Sequence, residues 1–230
     1  MKNMSISIFF PAYNEGENIE RAIKTAKVVI QKITDQYEIV VVNDGSRDNT
    51  GEIIDRLATE DSRIRAIHHK KNLGYGDALW TGIQNARNEW FFFTDADLQF
   101  DFEEINKLIE YIPEYKVVLG YRAPRKDSFM RLLNAWGWNL LVRLLFGLKV
   151  RDIDCAFKLF DRKIVASLPL LTRGATMSAE ILIRLMKNGE KWIEVPVSHF
   201  PRKFGSPTGA KISVIARAFR ELFKLYKKGI

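Results

Sequence analysis

Trp90-Phe91-Phe92-Phe93-Thr94-Asp95-Ala96-Asp97-Leu98-Gln99 runs an aromatic stretch straight into two carboxylates set two residues apart. In an extended chain, residues i and i+2 point to the same side. Asp95 and Asp97 therefore face one point in space, and the Gln99 amide oxygen is a further candidate for that point. Acidic residues at a strand end, rather than on a solvated helix, suit a hard divalent cation. Oxygen ligands and retained waters fit Mg²⁺ or Mn²⁺ held between carboxylates and substrate phosphates. Taken alone, the stretch is equally an acidic turn closing a buried strand.

Working outward, strands and helices alternate. Ser5 to Phe10 reads as a strand stopped by Pro11, and Glu15 to Ile33 as a helix with Ile19, Ile23, Ala26 and Ile30 on one face and Asn14 as its N-cap. Tyr37 to Val42 is apolar almost throughout, as buried parallel strands are. A helix over Thr50 to Glu60, a strand over Ile64 to His68 and a helix over Tyr75 to Arg87 lead to the Trp90–Thr94 strand. Such alternation predicts right-handed crossovers, a largely parallel sheet and an α/β fold. Ligands in these sheets bind beyond the carboxyl ends of the strands. The loops Pro11–Glu15, Asn43–Ser46 and Asp95–Gln99 share that edge, which favours a pocket over a bare turn.

The second half is less regular. It predicts helices over Phe102–Ile112, Leu132–Phe146, Ser178–Lys187 and Lys211–Lys228, and strands over Lys116–Gly120, Cys155–Phe160 and Lys191–Val195. No linker divides the 230 residues. A single domain is expected, residues from 100 onward completing one core.

Composition narrows the partners. A formal charge of +8 favours anionic ligands such as phosphates or an acidic membrane surface. Nucleic acid also suits that charge, but no basic-aromatic recognition motif appears. The one cysteine, Cys155, forms no internal disulfide and reads as a buried small apolar residue. A reducing, cytoplasmic location and the absence of a leader peptide are the expectations. Leu132 to Leu148 is too short and too polar for a membrane span, which needs roughly 20 apolar residues.

Six segments carry a family resemblance: Pro11-Ala12-Tyr13-Asn14-Glu15, Val42-Asn43-Asp44-Gly45-Ser46, Asn72-Leu73-Gly74-Tyr75-Gly76, Asp95-Ala96-Asp97-Leu98-Gln99, Gly120-Tyr121-Arg122 and Asp154-Cys155-Ala156-Phe157-Lys158-Leu159-Phe160. In order and spacing the chain resembles family 2 glycosyltransferases of the GT-A fold. Among these it is most similar to dolichyl-phosphate mannose synthases and related polyprenyl-phosphate glycosyltransferases. The resemblance implies a Rossmann-like, mostly parallel sheet. Residues 1–100 would bind the nucleotide, residues 101–210 the acceptor, and residues 211–230 would form a basic amphipathic helix.

The resemblance further implies Asp95, Asp97 and Gln99 as ligands of Mg²⁺ or Mn²⁺. It places Pro11, Ala12, Tyr13, Glu15, Val42, Asp44 and Ala96 around the nucleotide sugar, with Arg122 on phosphate. Arg202 and Lys211 would belong to a basic loop over the donor, though Lys211 equally opens the last helix. Arg131 and Arg202 join Arg122 as candidates for the acceptor phosphate, because a guanidinium matches phosphate oxygens in pairs. Arg125 and Lys126 read as a solvated basic loop. Asp154 stands where inverting members often place a base, with Asp152 as the lesser candidate; Asp154 alternatively orients cations or the acceptor. His68 and His69, on an inner strand with no acidic neighbour in sequence, read as structural; His199 stays open. Gly74-Tyr75-Gly76 reads as a tight turn into a helix.

The expected activity is metal-dependent, inverting transfer of a hexose from GDP-mannose or UDP-glucose to a polyprenyl phosphate. Transfer to a glycan or protein-linked acceptor, or a non-catalytic nucleotide- or lipid-binding subunit, are the alternatives. Peripheral attachment to the cytoplasmic membrane face, or to a membrane-embedded subunit, is expected through the last helix. There Ile212, Ile215, Phe219, Leu222, Phe223 and Tyr226 lie opposite Arg217, Arg220, Lys224 and Lys227.

Overall fold

Side-chain alternation sorts the core into two faces. Ile6, Ile8, Phe10, Ile39, Val41, Trp90 and Phe92 go to one side, and Phe9, Val40, Val42, Phe91 and Phe93 to the other. The strands carrying them are β1 (Ile6–Ala12), β2 (Tyr37–Asn43) and β4 (Trp90–Thr94). The computed structural model describes residues 4–125, 129–202, 204 and 212–230, with the side chains at 129–131 and 212–213 outside that description. Helices α1 (Ile19–Gln31), α2 (Thr50–Glu60) and α4 (Ile105–Ile109) cover the first face through Ile19, Ile23, Ile54 and Ile105. Helices α3 (Tyr75–Asn85), α5 (Phe129–Phe146), α6 (Arg162–Ala166), α7 (Met177–Lys187) and α8 (Ile212–Lys227) cover the second, through Leu79, Val142, Val165, Leu182 and Leu222.

The seven-stranded sheet runs β3-β2-β1-β4-β6-β5-β7. Here β3 is Ile64–His68, β5 Val117–Arg122, β6 Phe157–Asp161 and β7 Trp192–Val197. All pairs are parallel except those of β6, which lies antiparallel to both β4 and β5. This reversal positions the site. Six strands end on one edge, and β6 begins there, so Asp152 to Ala156 joins the loops that follow the other strands.

Several boundaries differ from the sequence reading. β1 continues through Pro11, because β4 pairs with it only as far as Phe9↔Phe93 and Pro11 lies beyond that shared stretch, facing Val42 of β2. α1 starts at Ile19 rather than Glu15, and Asn14 is not its cap. Asn14 has φ 55°, donates its N–H to Ser46 Oγ (2.9 Å) and accepts from the Arg47 N–H (2.8 Å), tying two loops together. The helix expected from Phe102 is a 3₁₀ turn (Phe102–Glu104) leading into the five-residue α4. Arg122 is the last residue of β5 and does not follow it. β3 is an edge strand, so His68 and His69 do not lie on an inner one.

Among the described residues no helix is long and apolar enough to cross a membrane. α5 and α8 touch edge-on through Trp138–Phe219 (6.1 Å) and Phe146–Tyr226 (6.0 Å). Leu222, expected on the outer apolar face of α8, is instead fully buried, with Ala218 and Leu225 beside it in the buried set. The outer stripe is Ile215, Phe219, Phe223 and Tyr226, continued on α5 by Leu133, Trp136, Leu140 and Leu144; all of these are exposed. Helix α8 therefore has two apolar sides, one packed and one open.

Gly82 lets α3 settle on β1, since a Cβ there would stand 2.4 Å from the Phe9 ring. On an open helix, Gly→Ala gains about 1 kcal/mol. Here Gly82→Ala is expected to cost about 1–3 kcal/mol through overpacking. At roughly 2–4 °C per kcal/mol for a chain of this size, thermal melting will show a fall in Tm; a rise would mean that α3 lifts freely from the sheet.

Candidate active site

Asp95 and Asp97 follow β4 directly. Asp97 is buried and Asp95 half-buried. The Gln99 N–H donates to Asp97 Oδ1 (3.2 Å), and the intervening Leu98 takes φ 59°. A left-handed leucine costs of order 1–3 kcal/mol and persists only where its surroundings impose it. Desolvation, then the charges of Asp97 and Glu15, push the Asp95 carboxyl up to about 7. Desolvation raises Asp97 as well, opposed by Arg202. The pair thus lacks positive charge, which is the electrostatic condition for holding a divalent cation.

Arg202 partly supplies that charge. Its guanidinium pairs with Glu15, lies 3.6 Å from Asp97 Oδ2 and donates from Nε to the Phe204 carbonyl (2.7 Å). A backbone seam carries it there. The Phe200 N–H donates to the Gln99 carbonyl (2.7 Å), Gln99 Nε2 donates to the Phe200 carbonyl (2.8 Å), and Phe100 bridges His199. His199 is buried edge-on to Phe100, 5.3 Å between centroids. The Gln99 amide nitrogen is therefore committed to the loop, leaving its Oε1 as the only side-chain atom for a cation. Among the described residues no cluster of three acidic, histidine or cysteine side chains offers a closed metal site. Two carboxylates with room for phosphate and water fit the way Mg²⁺ and Mn²⁺ are bound beside substrate phosphates, so the donor set suits such an ion.

Just past the end of β2, Asp44 is buried and bound by His69 Nδ1 (2.7 Å) and by the N–H groups of Leu73 (2.9 Å) and Gly74 (2.8 Å). Val42 and Ala96 are core residues. Ala12 is buried, while Pro11, Tyr13 and Glu15 are half-buried along the same edge. His68 bonds Asp55 (2.9 Å) and Asn43 (3.1 Å). Both histidines thus have acidic partners that are distant in sequence.

On the other flank, Arg122 and Asp152 form a bidentate pair of 2.7 and 2.8 Å. Desolvation would raise the Asp152 pKa, but the Arg122 hydrogen bonds and charge outweigh it and hold the carboxyl low. Arg125, expected to be solvated, instead bends to within 3.7 Å of Asp152 Oδ1. Asp152 is thereby engaged by two arginines, and Asp154, exposed over part of its surface, has its carboxyl pKa raised by desolvation and then by Asp152. Lys158, almost fully buried, holds the turn: its Nζ donates to the carbonyls of Ile153 (3.0 Å) and Cys155, on either side of Asp154. The Cys155 thiol is buried and its pKa pushed up to about 12, as an inert core residue requires. The Arg131 side chain, Lys126 and Lys211 lie outside the described residues.

Asp97, Glu15 and Arg202 thus meet directly, while Asp95, Asp44, Arg122 and Asp154 share the edge. The roles of His69, Asp152 and Lys158 escaped the sequence reading. A signal for His69 existed: it follows β3, so it falls on the edge shared by the Pro11–Glu15, Asn43–Ser46 and Asp95–Gln99 loops.

Residues 7–168 match the family described as Glycosyl transferase family 2. The chain is 32% identical over 213 residues to Glycosyltransferase AglD of Haloferax volcanii, covering 86% of this chain and 34% of that protein. It is 33% identical over 204 residues to the undecaprenyl-phosphate 4-deoxy-4-formamido-L-arabinose transferase of Pectobacterium atrosepticum, covering 88% of this chain and 62% of that one. It therefore spans between a third and two thirds of these relatives. A crystal structure of glucosyl-3-phosphoglycerate synthase from Mycobacterium tuberculosis, in complex with Mn²⁺, UDP and glucosyl-3-phosphoglycerate, superposes with a TM-score of 0.73 at 19% identity, covering 99% of this chain and 81% of that one. That likeness establishes the GT-A fold expected from the sequence.

Desolvation of Asp95, with repulsion from Asp97 and Glu15 added to it, carries a cost in stability. Asp95 keeps its proton in the fold up to about pH 7, whereas an unfolded aspartate releases it near pH 3.9. The folded state binds more protons between those values, so this group's contribution to stability falls as pH rises from about 4 to 7. Asp95→Asn is expected to raise Tm at pH 8 without divalent cation, by about 2–4 °C per kcal/mol recovered. At pH 5, where wild-type Asp95 is already neutral, the gain should vanish. Equal gains at both pH values would remove charge repulsion as the cause.

Proposed function

This chain belongs to glycosyl transferase family 2, and from that premise we propose that it transfers a hexose from a nucleotide sugar, GDP-mannose or UDP-glucose, to a polyprenyl phosphate, with inversion and with Mg²⁺ or Mn²⁺. One observation carries the reading. The strand-end carboxylates Asp95 and Asp97, short of positive charge, share one edge with Glu15 and Arg202 on one flank and with Arg122 and Asp154 on the other. The polyprenyl-phosphate substrate named for the Pectobacterium relative supports the choice of acceptor.

Asp95 and Asp97, with Gln99 Oε1 as the third candidate, would hold the metal, which when bound neutralises charge on the departing diphosphate. The protein's own residues perform the remaining tasks. Pro11, Tyr13, Glu15 and Asp44 line the nucleoside, and Arg202 lies where a diphosphate oxygen would replace the Asp97 carboxylate as its partner. Arg122, its guanidinium oriented by Asp152, would meet a phosphate in a fixed direction. A phosphate monoester is already largely ionised near neutral pH, its second pKa being near 6. Attack needs no strong base, and Asp154 serves to orient the acceptor. Single displacement on an α-linked donor yields a β product.

A polyprenyl acceptor lies in a bilayer, and the exposed apolar stripes of α5 and α8 suit its interface. Arg217, Arg220, Lys224 and Lys227 accompany the α8 stripe, each adding about 1 kcal/mol beside anionic lipid. Peripheral attachment at the cytoplasmic face follows, with a membrane-embedded subunit as the alternative occupant of the same stripe.

A donor screen with Mn²⁺ and a short polyprenyl phosphate should give a sugar-lipid product, and Asp97→Ala should lower turnover by at least about 10²–10³-fold while leaving the melting transition in place. Sugar transfer undiminished in that variant would sink the metal assignment; nucleotide release without lipid product would point to another acceptor. Ile215→Ser combined with Phe223→Ser changes the exposed stripe of α8 and leaves the ring contacts of Phe219 and Tyr226 with α5 in place. It should weaken sedimentation with vesicles containing anionic lipid, and unchanged sedimentation would reject the interfacial role.

A further inference from the structure

Helix α5 ends so that the chain folds back along its own side. Trp136, Asn139, Leu140 and Arg143 succeed one another at helical spacings and share one side of the helix. Gly147, at φ 75°, donates its N–H to the Arg143 carbonyl (2.8 Å) and reverses the chain. Asn139 Nδ2 then catches the returning segment at the Arg151 carbonyl (2.8 Å), and the Arg151 N–H donates to Glu194 Oε1 of β7 (2.6 Å). Glu194 pairs in register with Leu119, so strand alternation puts it on the same side of the sheet as Tyr121. The Arg151 guanidinium lies over that Tyr121 ring, 4.7 Å from its centre.

Helix, returning segment and strand enclose a cleft of about 410 Å³, within the roughly 300–1,000 Å³ of small-molecule sites. It opens beside β7, the edge strand, and Asp95, Asp97, Arg122 and Asp154 are not among its described lining residues. Its lining is chemically divided. Trp136 and Leu140 make an apolar wall, and both also belong to the exposed stripe of α5. Arg143, Lys149 and Arg151 bring three cations against the one carboxylate of Glu194. Arg143 and Lys149 are exposed and make no ion pair among the described residues. Glu194 gives Oε1 to the backbone, which leaves Oε2 for a donor.

We propose that this cleft binds the headgroup of an anionic membrane phospholipid. Two observations select that occupant: the surplus of positive charge, and the continuity of the apolar wall with the stripe that suits a bilayer interface. With the stripe in the interface, where tryptophan concentrates, the cleft stands at headgroup depth. The phosphate meets Arg143 and Lys149, a headgroup hydroxyl donates to Glu194 Oε2, and the first acyl carbons lie on Trp136 and Leu140. The proposal rests on the membrane attachment within the glycosyl-transfer reading and not on the sugar transferred. It makes that attachment a matter of recognition, with one lipid held in a fixed place.

The test removes two charges in the full chain as Arg143→Gln with Lys149→Gln. Arg21→Gln with Lys24→Gln, exposed on α1 across the sheet, removes the same charge elsewhere. Binding is read at physiological salt by sedimentation with phosphatidylcholine vesicles, with and without phosphatidylglycerol. The cleft itself is read by tryptophan fluorescence with dihexanoyl-phosphatidylglycerol below its micelle concentration. The cleft variant should bind anionic vesicles about 10- to 30-fold more weakly than wild type, and the α1 variant within about threefold of it. The soluble lipid should shift the fluorescence saturably in wild type and in the α1 variant, and neither in the cleft variant nor in Trp136→Phe. Should the double variant melt early, Lys149→Gln alone should still show a selective loss.

Equal losses in the cleft and α1 variants would overturn the site in favour of diffuse charge. Displacement of the soluble lipid by an equal concentration of inorganic phosphate would overturn the lipid source. Displacement by a short polyprenyl phosphate would assign the cleft to the acceptor instead. These readouts need neither donor nor turnover, so a chain that binds phosphatidylglycerol in this way but transfers no sugar would uphold the cleft while the glycosyl-transfer reading fails.

Discussion

Two carboxylates stripped of much of their water and set two residues apart at the end of β4 create a charge deficit, and the rest of the edge is arranged around it. Asp95 meets it by retaining its proton to about pH 7. Asp97 meets it with Arg202, drawn from a loop a hundred residues downstream. Glu15 shares that guanidinium, so β1, β4 and the segment after β7 converge on one cation. Farther along, Asp152 is paired with two guanidiniums, Arg122 and Arg125. Buried charges of this kind need partners or they neutralise themselves. The edge shows both responses within a few residues.

The sheet topology is what makes such convergence possible. β6 runs against its neighbours, so the turn from Asp152 to Ala156 approaches the sheet at the edge where the parallel strands leave it. Without that reversal Asp154 would stand at the opposite end of the sheet from Asp95. The family match stops at residue 168, but Arg202 and the seam that places it lie beyond. The carboxylates Asp95 and Asp97 lie inside the matched region, and the guanidinium that meets Asp97 comes from outside it.

Much of the first half was legible because its physics is local. Tyr37 to Val42 and Trp90 to Phe93 are apolar runs bounded by turn residues, and parallel strands between helices follow from them. Asp95 and Asp97 were readable for the same reason: strand alternation fixes where i and i+2 point. The misread features depend on partners far away in sequence. Pro11 stays in β1 because β4 ends its pairing earlier. Asn14 ties two loops instead of capping α1. His69 has its acid in Asp44, 25 residues back, and Arg125 finds Asp152 across a helix. Leu222 shares the hydrophobic period of Phe219 and Phe223, yet its side of α8 meets the core. Periodicity shows that a helix is apolar on a stripe, while packing alone shows how wide that stripe is.

The seam between Gln99 and Phe200 has a consequence for how a ligand is received. Three contacts, two through Gln99 and the bridge from Phe100 to His199, tie the acidic turn to the backbone two residues before Arg202. A free loop of similar length would have to be ordered each time a ligand arrived, at roughly 1–2 kcal/mol per backbone residue fixed. Here that entropy is lost once, when the chain folds. The spacing between Asp97 and Arg202 is then a property of the fold rather than of the ligand. An anion of the right span gains affinity from a spacing that is already set.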